Sequence, residues 1–150
     1  MTSWITPQVW GLLIGGLLPA LFYGVSGMLA KTSTNAGMSV GGHLICIGVA
    51  VSAVGVVLQG WLPGPLPSLE AIAASTGYGL LWGLGTGCVA IALLKYQTPL
   101  AKLVPLYNLN TLIAVLLALV VFAEWQTVNF PRLAIGALLV VIGGILVSIA

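Results

Sequence analysis

The sequence predicts an all-α membrane protein with five transmembrane helices. Three observations lead there. Of 150 residues, 60% are hydrophobic and 4% charged, with a mean hydropathy of +1.20; a soluble domain carries roughly a quarter charged residues. The apolar residues gather in five runs, each long enough at about 1.5 Å per residue to cross a bilayer's hydrocarbon core. Most of the 20 glycines lie within those runs rather than between them, as small residues do where helices pack in lipid. A net charge of +2 without a basic cluster excludes nucleic acid as a partner; the expected surroundings are membrane lipid.

Span one is expected over about 9–30. Pro19 removes the bond to the Gly15 carbonyl, which predicts a kink beside Gly15–Gly16. Gly16, Ala20 and Gly24 recur every four residues and would admit another backbone. Tyr23 and Ser26 are its mid-helix polar groups; Lys31 and the polar stretch TSTNAGMS read as the following loop. The segment MTSWITPQVW lacks a signal peptide's basic start, so the span is expected to be retained.

Span two is expected over about 40–59. His43 and Cys46 are one turn apart near its start; His43 reads as an interfacial histidine bonded to a loop carbonyl, with a substrate contact as the alternative. WLPGPLPSLE, with three prolines, cannot stay helical and is placed at a membrane surface, with Trp61 in the interfacial aromatic belt.

Span three, about 71–94, carries two stripes. Ser75, Gly79, Gly83 and Gly87 repeat every four residues and form a face for tight helix packing. Tyr78, Trp82 and Thr86 repeat one position earlier, about 100° round the helix; they line a cavity, or else meet lipid or core. The short KYQTP hairpin leads to span four, about 100–123. There Pro105 frees the Ala101 carbonyl, and Tyr107, Asn108, Asn110 and Thr111 interrupt an apolar run. Asn108 and Asn110 lie about 200° apart and cannot share one pocket. Span five, about 133–150, follows Asn129 as N-cap and Pro131 in the first turn.

Cys46 and Cys88 sit in apolar runs and read as packing residues. One histidine and two cysteines make no zinc constellation, so neither metal nor cofactor is expected. With two glutamates, in a loop and at a helix end, the chain lacks the positioned acids, bases and nucleophiles of an enzyme.

The block from Lys95 to Ala150 resembles the C-terminal end of an EamA-type repeat of the drug/metabolite transporter superfamily. The features that match are the basic hairpin, LVPLYNLNTLIAVLLALVVFAEW, a few polar residues, and a last helix with Gly136 and Ile142-Gly143-Gly144. An acidic residue at the place of Glu124 is typical of that family, usually after glycine; here Ala123 precedes it. Most relatives carry two such inverted-repeat units and ten spans, whereas this chain is similar to the five-span, single-unit transporters. It is more distantly similar to the four-span small multidrug resistance proteins, whose first span carries a glutamate that binds protons and cationic drugs. Leu21 stands at that place here, so that exchange mechanism is not carried over.

The resemblance implies a transporter that works by alternating access as a dimer, an antiparallel homodimer or a heterodimer with a similar chain. The expected substrate-binding set is Tyr23, Tyr78, Trp82, Tyr107 and Asn108, between spans one, three and four; with no buried charge it suits a neutral or zwitterionic metabolite. Lys95 and Lys102 read as snorkelling topology markers, or as attractors of an anion. The expected location is the bacterial inner membrane, N-terminus outside and C-terminus cytoplasmic. The alternative is a non-transporting scaffold or accessory subunit that pairs through its glycine faces.

Overall fold

The computed structural model describes residues 7–149. It contains five helices long and apolar enough to cross a membrane: Val9–Asn35, Val40–Trp61, Leu69–Leu94, Leu100–Val121 and Phe130–Ile149. No strand occurs among the described residues. The protein is an all-α, integral membrane protein of five spans. Two compact units divide the chain, Met1–Gln97 and Thr98–Ala150.

In the first unit, span one comprises α1 (Pro7–Leu12), a π-helical turn (Leu13–Leu17) and α2 (Leu18–Asn35). The expected kink takes this form: the Leu18 N–H donates to the Leu13 carbonyl, an i→i−5 bond that widens the ladder just before Pro19. Widening is a natural response where a proline ring meets the carbonyl four residues back. Span one also runs past 30. The Thr32 and Thr34 hydroxyls donate to the carbonyls of Met28 and Lys31 at 3.0 and 2.9 Å, so this polar stretch is helix rather than loop. Gly37, at φ 86°, ends it.

Span two is α3 (Val40–Trp61), capped by Ser39, whose hydroxyl accepts from the Gly42 N–H at 3.1 Å. Span three is α4 (Leu69–Leu94), which starts two residues before its expected start and is capped by Ser68, whose hydroxyl accepts from Ala71 N–H at 3.2 Å. The segments α2, α3 and α4 touch one another pairwise. Their buried residues are Thr34, His43, Gly87, Ala90 and Leu93. All belong to the end where span one finishes, span two begins and span three finishes. Residues 51–66 and 69–76, at the other end, are exposed. The first unit is held at one membrane face and open at the other.

In the second unit, span four is two helices, α5 (Leu100–Tyr107) and α6 (Asn110–Val121), rather than one. A left-handed Ala123 (φ 54°) ends it, and a 3-10 turn follows over Glu124–Gln126. Span five is α7 (Phe130–Ile149), starting before its expected residue; Asn129 Oδ1 accepts from Arg132 N–H at 3.2 Å, which makes it the N-cap. Ala150, the expected last residue of span five, lies outside the described residues. Here α5 packs on α7.

Candidate functional site

The chemistry of the second unit concentrates at the break in span four. Pro105, inside α5, has no N–H to offer the Ala101 carbonyl. Three residues on, the ladder tightens: Leu109 N–H donates to Leu106 at 3.1 Å, Thr111 N–H to Asn108 at 3.1 Å, and Leu112 N–H to Leu109 at 3.0 Å. In an unbroken α-helix the first two would donate to Pro105 and Tyr107, so those carbonyls drop out of the ladder. Asn108 (φ −68°, ψ −9°) and Leu109 (φ −61°, ψ −14°) stay right-handed, which makes a tightened hinge rather than an unwound loop. It lies roughly 13 Å along a span of roughly 33 Å, a few Å short of the midplane.

Tyr107 and Asn108 of the expected set stand together at this hinge, and both are exposed. The Thr111 hydroxyl donates to the Asn108 backbone carbonyl at 2.8 Å, so that hydroxyl is committed to its own helix, while the Asn108 side-chain amide is exposed. Asn110 is the first residue of α6 and is also exposed. Glu124 lies in the 3-10 turn at the end of the span, where its carbonyl accepts from both the N–H and the hydroxyl of Thr127 at 2.9 Å.

Tyr23, Tyr78 and Trp82 belong to the first unit, and all three are exposed. Two neighbouring hydroxyls are committed to their own helices: Ser26 donates to the Tyr23 carbonyl at 2.9 Å and Thr86 to the Trp82 carbonyl at 2.8 Å. Of the packing glycines, Gly87 is buried, and a Cβ there would meet Leu44 Cδ1 at 3.4 Å. At Gly79 and Gly83 a Cβ would meet nothing of the first unit within 4 Å. The face expected along span three is a contact at Gly87 and an open surface at the other two.

His43 is 8% exposed and Thr34 4%. The partner of His43 is not a loop carbonyl: Nδ1 is hydrogen-bonded to Ser33 Oγ at 3.1 Å. Sequence reading missed this because Ser33 sits in a polar stretch that looks like a loop. Both thiols, Cys46 and Cys88, are free and exposed. Among the described residues no group of three or more His, Cys, Asp or Glu side chains could hold a metal ion.

Comparison with family models, with curated proteins and with solved structures finds no match.

Proposed function

We propose that the chain is a small-molecule transporter of the EamA type in the drug/metabolite superfamily, moving a neutral or zwitterionic metabolite by alternating access as a dimer. The observation that carries this reading is the hinge at Asn108–Leu109. Carbonyls released from a helix ladder at membrane depth are costly in lipid and are tolerated where protein or a water-filled cavity receives them. Discontinuous spans near the midplane are where transporters hold substrate. The hinge also puts an amide, with donor and acceptor, beside a phenol. With no carboxylate in the middle of any span (Glu70 lies in the first turn of span three), this group recognises hydrogen-bonding substrates better than cations. Tyr23, Tyr78 and Trp82 are the first unit's candidates for substrate contact.

The dimer is an antiparallel homodimer or a pair with a similar chain, in the bacterial inner membrane. A second reading, a scaffold or accessory subunit of a larger membrane complex, draws support from Gly79 and Gly83, whose open faces would receive a foreign helix. Uptake into proteoliposomes separates the two. For a panel of neutral and zwitterionic metabolites, saturable uptake of at least one compound, lost in Asn108→Ala with helix content kept, supports transport. Uptake no faster than in empty liposomes across the panel supports the scaffold.

A further inference from the structure

We infer that Gly144 selects between two hydrogen-bond registers of span four and holds it in the broken one. Gly144 is the buried residue of α7. A Cβ built on it would lie 3.2 Å from Leu109 Cδ2 and 3.4 Å from the Pro105 carbonyl oxygen. On Gly136 and Gly143 of the same helix a Cβ would meet nothing of the second unit within 4 Å. The one glycine of α7 that is tightly opposed therefore faces the two residues whose mutual bond the hinge gives up. In the broken register Leu109 N–H bonds Leu106. The released Pro105 oxygen then lies on the side of α7 where Gly144 carries no Cβ. In the continuous register the Leu109 N–H would return to Pro105, drawing that oxygen back into the ladder and the Leu109 side chain round with it.

A methyl group at 144 crowds the broken register, where it would come within 3.2 Å of Leu109 Cδ2. Gly144→Ala is therefore expected to straighten span four, and Leu109→Ala, by removing the closer of the two contacts, to restore the break. Neither effect requires transport, so the inference stands or falls apart from the transporter reading.

Spin labels at Ala101→Cys and Val121→Cys, in the full chain with Cys46→Ser and Cys88→Ser, report the length of span four by electron–electron double resonance. A straight helix puts these Cα atoms about 30 Å apart. Gly144→Ala should move the distribution towards that straight-helix value, and the added Leu109→Ala should move it back. Leu109→Phe, which overfills the same contact from the other side, should act like Gly144→Ala. An unchanged distribution in Gly144→Ala overturns the inference. So does a loss of helix content in Gly144→Ala that Leu109→Ala fails to restore.

Discussion

Ser33 Oγ lies 3.1 Å from Nδ1 of His43, joining the last turn of span one to the first turn of span two. The imidazole is almost wholly buried, so this bond fastens the packed end of the first unit. Removing one partner leaves the other polar and desolvated, which costs more than the bond itself contributes. Ser33→Ala is expected to destabilise the chain by about 1 kcal/mol in reversible detergent unfolding followed by circular dichroism. His43→Ala should cost more, because it also opens a cavity. If the two losses add in the double variant, the residues are not coupled and the fastening role fails.

Ala123 ends span four at φ 54°, a left-handed conformation that costs a residue with a Cβ about 1 kcal/mol. Ala123→Gly is expected to raise stability by about that amount. Gln97, at φ 49°, should gain less from Gln97→Gly, because its side chain donates to the Leu94 carbonyl at 2.7 Å. A destabilised Ala123→Gly would mean that the turn before Glu124 is held by something other than its backbone.

Two glycines on one stripe should behave differently. Gly87→Leu drives a branched side chain into Leu44, so it should lower the folding yield of the chain by overpacking. At Gly83 a Cβ meets nothing of the first unit within 4 Å, so Gly83→Leu should keep helix content and change the oligomeric state instead. Chemical cross-linking in membranes checks the second expectation. Equal cross-linking of wild type and Gly83→Leu would assign that face to lipid.

Topology carries the dimer proposal. The loops after spans one and three fall on one side with Lys31, Lys95 and Lys102, and the other side has Arg132. Lys and Arg mark the cytoplasmic side, so the proposed orientation has the C-terminus inside. A bias of three against one leaves room for dual insertion. C-terminal fusions to green fluorescent protein and to alkaline phosphatase should then both be active. Fluorescence alone removes the antiparallel homodimer and leaves a partner chain or a parallel pair; phosphatase alone reverses the assignment.

The five spans were legible because hydropathy over long runs dominates, and the cap at Asn129 follows a local rule that needs no tertiary context; the caps at Ser39 and Ser68 follow the same rule but were not singled out from the sequence. The end of span one was not. TSTN has a loop's composition, and only the return of the Thr32 and Thr34 hydroxyls to the helix backbone, with Thr34 buried, shows why it stays helical. Pro105 announced a disturbance in span four, but the break falls three residues later, where α7 closes on Leu109. The Gly79–Gly83–Gly87 stripe was visible as a spacing, whereas which of its members meets a neighbour depends on the crossing of spans two and three at Leu44. The site residues could be listed from polarity at membrane depth; that Tyr107 and Asn108 share a hinge required the backbone.

The central claim is that the hinge in span four faces water at membrane depth. Asn108→Cys, in a chain with Cys46→Ser and Cys88→Ser, tests it directly through the rate of reaction with a small membrane-impermeant thiol reagent in intact membranes. Asn108→Cys should be modified, whereas a control Val120→Cys on the same span should be protected. Protection at 108 in intact membranes, with full reaction after detergent denaturation, would place the hinge in lipid or packed protein and contradict it.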